Sequence, residues 1–186
     1  MKIGIFGGSF NPPHKVHRQI VETLKAKGYV DKVIIVPTGL HYEYKNNLVE
    51  NHYRLDMLQL LFQDVDYVTI HDYEMKDYPV YTYQTLEYFK KQYPKDEIYF
   101  VCGMDNLSYI HQWKHPEIIR KYSLLVLERG NGRVPTNSFD VTFVSFPCFD
   151  VSSTVIRDKI KHKESISSYV PKTICDYISK YQLYKE

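Results

Sequence analysis

Short apolar runs alternate with longer stretches of helical spacing along this chain of 186 residues. Ile3, Ile5 and Phe6 belong to a run that stops at Gly7-Gly8, and residues 33–36 are continuously β-branched up to Pro37. Runs that are apolar at every position are expected of strands buried on both faces. Residues 98–102, ended by Gly103, and residues 124–127 read the same way, while 67–71 and 141–146 supply two more strands. Between them, residues 19–26 put Ile20, Val21 and Leu24 on one side of a helix. Residues 53–62 do the same with Leu55, Leu58, Leu61 and Phe62. Residues 82–92 read as a third helix, capped by Thr82 and stopped at Tyr93-Pro94. Residues 38–51 are polar and irregular and predict a long loop. Two helical pieces close the chain, one beginning near Ser153 and one following Pro171 with Ile174, Tyr177 and Ile178. Such alternation predicts an α/β fold with a doubly wound, mainly parallel sheet. Ligands of these sheets bind beyond the carboxyl ends of the strands, near the switch in strand order. That rule selects Gly7-Gly8, the loop after Pro37, Gly103 and the region of Ser152.

Length and composition narrow the picture further. The chain suits a single domain over residues 1–186, with a C-terminal helical portion at about 152–186. A formal charge of +2 with no dense basic run gives no reason to expect a nucleic-acid partner. Cys102, Cys148 and Cys175 are odd in number and far apart, which fits reduced thiols in a cytoplasmic protein. The first apolar run is too short for a signal peptide, and no stretch approaches the ~20 apolar residues of a membrane span. A soluble protein that does not engage membranes is expected. The 18 tyrosines are spread along the chain and suggest no function.

Three segments carry candidate chemistry. Residues 7–17 read G-G-S-F-N-P-P-H-K-V-H. Glycines after a buried strand let backbone approach a ligand closely, although ordinary turns use them too. His14 and His17 share a face on a helical first turn, where imidazole and backbone N–H groups favour phosphate oxygens. The segment lacks the Walker A ending and the G-x-G-x-x-G spacing. No further ligand set accompanies the histidines, so no metal site is expected. Residues 152–157 read S-S-T-V-I-R: either a helix N-cap with a surface arginine, or a phosphate site in which Arg157 supplies a charged fork. Residues 101–113 place Asp105 just beyond a strand end, where a carboxylate can meet ribose hydroxyls. Trp113 in the same stretch is either a packing residue or a flat face for a pyridinium ring. His111 and His115 read as surface residues.

Residues 7–17 resemble the H-x-G-H signature of the adenylyltransferase/cytidylyltransferase superfamily, with Val16 where that family has glycine. S-S-T-V-I-R resembles its second signature. G-x-D-x-L followed by Trp113 is similar to the pattern of bacterial nicotinate mononucleotide adenylyltransferases. Residues 51–58, the Tyr81-Thr82 segment and the closing helix also fit that family. The flanks differ: Pro79, Val80 and Gln84 depart from its acceptor segment, and Lys45 alone matches its P-P-H-K loop. The resemblance implies a Rossmann-like nucleotidyltransferase that joins nicotinate mononucleotide to the AMP part of ATP in NAD biosynthesis. It implies catalytic roles for His14, His17 and Arg157. ATP would meet Gly7, Gly8, Ser9, Phe10, Gly103, Asp105, Ser152, Ser153 and Thr154. The mononucleotide would meet Lys45, Tyr81, Thr82, Trp113 and Arg129. Mg²⁺ would accompany ATP, with no metal site on the protein, and a homo-oligomer is compatible with the sequence. A different acceptor within the superfamily, or a non-catalytic nucleotide-binding paralogue, is the alternative.

Overall fold

The computed structural model describes residues 1–41, 47–128, 134–147 and 151–185. Its strands are β1 (Lys2–Gly8), β2 (Lys32–Pro37), β3 (Val68–Ile70), β4 (Glu97–Gly103), β5 (Ser123–Glu128) and β6 (Val141–Ser145). Its helices are α1 (Lys15–Ala26), α2 (Asn51–Phe62), α3 (Thr82–Gln92), α4 (Met104–Tyr109), α5 (Pro116–Ile119), α6 (Ser153–Lys161) and α7 (Lys172–Tyr181). The strands form one sheet in the order β3-β2-β1-β4-β5-β6. Every neighbouring pair is parallel, so the sheet expected to be mainly parallel is parallel throughout its described strands.

The two-residue period of the strands divides the core into two layers. Phe6, Val33, Ile35, Val101 and Leu125 face the layer formed with α1, α2, α6 and α7. Ile5, Ile34, Val36, Phe100 and Val126 face the opposite layer, which includes Leu86 and Phe89 of α3 and Leu107 of α4. Full burial of each aliphatic side chain contributes about 1.5–3 kcal/mol relative to exposure, which explains why these strands carry no polar alternation. The chain leaves β1 towards one edge of the sheet and passes from β4 to the other. The crevice of such a sheet therefore opens where Gly7-Gly8 and Gly103 end neighbouring strands.

Several boundaries differ from the sequence expectation. α1 begins at Lys15, four residues before the apolar spacing of 19–26, with His14 and His17 in its first turn as read from their spacing. In α2 the buried side carries Arg54 and Met57 with Leu58, Leu61 and Phe62, while Leu55 is only half-buried. The cap of α3 is Tyr81, whose N–H donates to Gln84 Oε1 at 2.9 Å; Thr82 is the first helical residue. The short α4 and α5 were not predicted, since each is too brief for helical spacing to emerge.

Candidate active site

The loop after β1 prepares the first histidine pair. His14 holds extended backbone at the start of α1, and its N–H donates to His17 Nδ1 at 3.0 Å. With Nδ1 accepting, the neutral His17 ring carries its proton on Nε2 and remains a donor on that side. The two rings lie 3.7 Å apart, and Phe10 meets His17 edge-on at 4.8 Å. Phe10 is 1% exposed, so its ring supports His17 from the core, and any meeting with ATP would be through its main chain. Val16 also turns inward, into the layer that holds Ile156 and Val170. A branched residue between the histidines therefore does not enter the phosphate side of the turn.

The second motif arrives from the far end of the chain. Ser153 Oγ donates to the Pro12 carbonyl at 2.8 Å, and Arg157 Nη1 donates to the Asn11 carbonyl at 2.8 Å. Arg157 Nη2 also donates to Thr154 Oγ1 at 3.2 Å. Ser152 caps α6, its hydroxyl accepting from the Val155 N–H at 3.2 Å. The N-cap and phosphate-site readings of this motif are thus compatible. Ser152 performs the capping, while Arg157 and the start of α6 face the histidines across one cleft that Ser9 also lines. No carboxylate borders this cleft among the described residues. Helix N-termini, imidazoles and a guanidinium converging without a counter-charge form an anion site.

Arg54 fixes the loop from behind. It is fully buried, and it donates to Ser9 O at 2.9 Å, Val49 O at 3.1 Å and Asn51 Oδ1 at 2.6 Å. Burial pulls its guanidinium down to about 10, which still leaves it cationic at neutral pH. Asn11, 2% exposed, extends the bracing: its Nδ2 donates to Asn47 O and its Oδ1 accepts from Val49 N–H. Arg54 falls in the segment 51–58 that resembles the family's helix, and Asn11 in the 7–17 motif, but the sequence alone gives neither a role.

On the other side of Ser9 lies a second cavity of different character. Gly7, Gly8, Val80, Thr82, Phe100 and Trp113 border it. Trp113 meets Phe100 nearly edge-on at 6.3 Å, so it serves both as packing and as a wall of this cavity. Glu74 and Thr38, which sequence reading missed, also line it. Thr38 N–H donates to Gly8 O at 2.9 Å, and Thr85 Oγ1 donates to Glu74 Oε1 at 2.6 Å. A buried glutamate in a segment of mixed polarity leaves no periodic trace, which is why the sequence did not reveal it.

The remaining expected residues are more scattered. Gly103 ends β4, and Asp105 is exposed in the first turn of α4; neither borders the two cavities. Tyr81 precedes Thr82 and its hydroxyl accepts from Lys114 Nζ at 2.6 Å, beside the cavity rather than in its wall. Lys45 and Arg129 lie outside the described residues.

A polar anion cleft abutting an aromatic cavity at the strand ends of a parallel sheet defines a nucleotide-handling α/β protein. The chain belongs to the cytidylyltransferase-like family, whose model matches residues 5–159. Within that family its full-length likeness is to nicotinate-nucleotide adenylyltransferases. A probable enzyme of that kind from Clostridium tetani is 34% identical over 198 residues, covering 99% of both chains. One from Caldicellulosiruptor bescii is 34% identical over 197 residues, covering 100% of both. Among solved structures, the Plasmodium falciparum nicotinic acid mononucleotide adenylyltransferase complexed with NaAD superposes with a TM-score of 0.86. It is 22% identical, with 98% of this chain and 97% of that chain covered, and speaks to the fold. A putative nicotinate-nucleotide adenylyltransferase from Vibrio parahaemolyticus superposes at 0.72 with 27% identity, covering 100% and 96%.

Proposed function

We propose that this protein is a nicotinate-nucleotide adenylyltransferase, joining nicotinate mononucleotide to the AMP of ATP with release of pyrophosphate. The observation that most supports this reading is Ser9, which borders both cavities: a cationic cleft suited to a triphosphate and an aromatic one suited to a pyridine ring. The mononucleotide phosphate attacks the α-phosphorus of ATP in line and the pyrophosphate oxygen leaves. That nucleophile is already ionised at neutral pH, so alignment and charge stabilisation supply the catalysis. His17 Nε2–H, His14, Arg157 and the N–H groups opening α6 receive the charge that develops on the transferred phosphoryl group and on pyrophosphate. Gly103 and Asp105, at the carboxyl end of β4, meet the adenosine. Thr82 and the amide at the start of α3 meet the pyridine carboxylate, over which Trp113 stacks.

Mg²⁺ enters as part of the ATP substrate. Among the described residues no group of three or more histidines, cysteines and carboxylates could hold a metal. The cleft itself offers hydroxyls and N–H donors. An ion arriving with ATP would be held by triphosphate oxygens and water, which would suit its reluctance to dehydrate.

Pyrophosphate release from ATP or CTP, paired in turn with nicotinate mononucleotide, nicotinamide mononucleotide, pantetheine phosphate and glycerol phosphate, tests the assignment. Release is expected to be fastest with ATP and the nicotinate acceptor; a faster rate with any other pair overturns it. In the Trp113→Ala variant the KM for the mononucleotide is expected to rise roughly tenfold or more, in line with ~1–3 kcal/mol for base–aromatic stacking. The KM for ATP should move much less. Equal shifts in both would remove the stacking role.

A further inference from the structure

Glu74 is a carboxyl group in the wall of the aromatic cavity, and the catalytic steps above make no use of it. It is 9% exposed and borders the same space as Thr82 and Trp113. Its Oε1 accepts the Thr85 hydroxyl at 2.6 Å, and no other hydrogen bond to its side chain is made by the described residues. That leaves Oε2 as the oxygen available to a ligand. The residue is held closely from behind: a Cβ on Gly39 would lie 2.4 Å from the Glu74 carbonyl oxygen, so only glycine lets the β2 loop pack there. Thr38, on the same loop and 8% exposed, has its Oγ1 buried without a hydrogen-bond partner. A singly bonded carboxyl in a cavity wall keeps one oxygen for a polar ligand group.

We infer that Glu74 determines acceptor specificity by remaining protonated: its Oε2–H donates to the carboxylate of the pyridine acid, making capture of that acid dependent on pH. The inference rests on the nicotinate reading above and extends it to a residue that reading does not use. Among the described residues, those that share the cavity wall with Glu74 carry no charge: Ser9 after β1, Thr38 after β2, Thr82 and Thr85 on α3, Phe100 on β4 and Asn106 on α4. Tyr73, its chain neighbour, is a phenol that burial pushes above its ordinary value, so it stays neutral throughout the relevant range. Burial pushes the Glu74 carboxyl up to about 7, and the Thr85 hydrogen bond only partly opposes this; Lys76, the cation next along the chain, lies over the Tyr73 ring instead. A second carboxylate entering the cavity favours the protonated form further, because two like charges cannot both be ionised at close range. One proton between two carboxyl groups then forms a short, charge-assisted hydrogen bond. An amide acceptor carries both a donor and an acceptor and is satisfied by either state of Glu74.

The test is the acceptor KM at saturating ATP between pH 6 and pH 8, for the native enzyme and for Glu74→Gln, whose amide cannot ionise. In the native enzyme the KM for nicotinate mononucleotide is expected to rise about tenfold over this range, as a site needing one proton with an affinity midpoint near neutrality requires. The Glu74→Gln profile should be flat apart from titration of the substrate phosphate, which both enzymes share. Nicotinamide mononucleotide should show little difference between them. Superimposable profiles for the two enzymes overturn the inference. Calorimetric binding of nicotinate mononucleotide to the native enzyme at pH 8, in buffers of different ionisation enthalpy, tests it without any variant. Uptake approaching one proton per site supports it, and no uptake overturns it. Failure of the underlying functional reading looks different: the native enzyme would release no pyrophosphate with the acid acceptor at any pH.

Discussion

His17→Ala is expected to lower kcat roughly 100- to 1,000-fold, the usual cost of about 2.7–4 kcal/mol for losing one donor to transition-state charge. The argument starts from the first turn of α1, where His14 N–H occupies His17 Nδ1 and so leaves the Nε2 proton as the donor. The substitution also removes that helix-capping contact, which is worth about 1 kcal/mol. Melting should therefore fall by only a few degrees in a chain of this size. Because the lost interaction strengthens in the transition state, kcat and kcat/KM should drop together. Pre-steady-state pyrophosphate release separates this from slower product departure. A variant retaining more than about a tenth of native turnover would take His17 out of the chemistry.

The largest effect on stability is expected at Arg54. Its alanine variant leaves the Ser9 and Val49 carbonyls and the Asn51 side chain without the donor they now share, inside a region that excludes water. Each buried unsatisfied group costs about 1–3 kcal/mol, and the vacated volume adds a cavity penalty. Relief from burying a cation offsets part of this, since desolvation had already pulled the Arg54 guanidinium down. A net loss of about 3–5 kcal/mol follows, lowering the melting temperature by roughly 10 °C. Activity measured well below the new melting point should also decline, because Arg54 holds the Ser9 carbonyl that shapes the loop between both cavities. Native stability in urea would show that other contacts suffice to hold the loop.

Much of this arrangement was legible in the sequence, and the exceptions have physical reasons. The β-branched run of β2 and the glycine-ended β1 and β4 announced a parallel sheet, because strands buried on both faces leave no polar alternation. The histidine and S-S-T-V-I-R motifs could be joined before any coordinates through their resemblance to the two signatures of one superfamily; the residues of the second motif alone fit a plain N-cap equally. Glu74, and the bracing roles of Arg54 and Asn11, escaped notice because their partners are a threonine, main-chain carbonyls and a distant loop: contacts that depend on tertiary proximity and leave no spacing in the chain. At the start of α1, which the spacing of His14 and His17 did suggest, a histidine pair does the capping where serine, threonine or aspartate is the usual signal. Val16 shows the opposite case: a departure from a motif that becomes intelligible once its side chain is seen facing the core.

Ser9 has a further consequence for compounds that occupy both compartments. A ligand with one arm in each need only cross a single residue, so docking of the first arm presents the second at high effective concentration. Two weak fragments tethered by a short, stiff spacer should consequently gain far more than the sum of their separate contacts, provided the spacer clears this one serine.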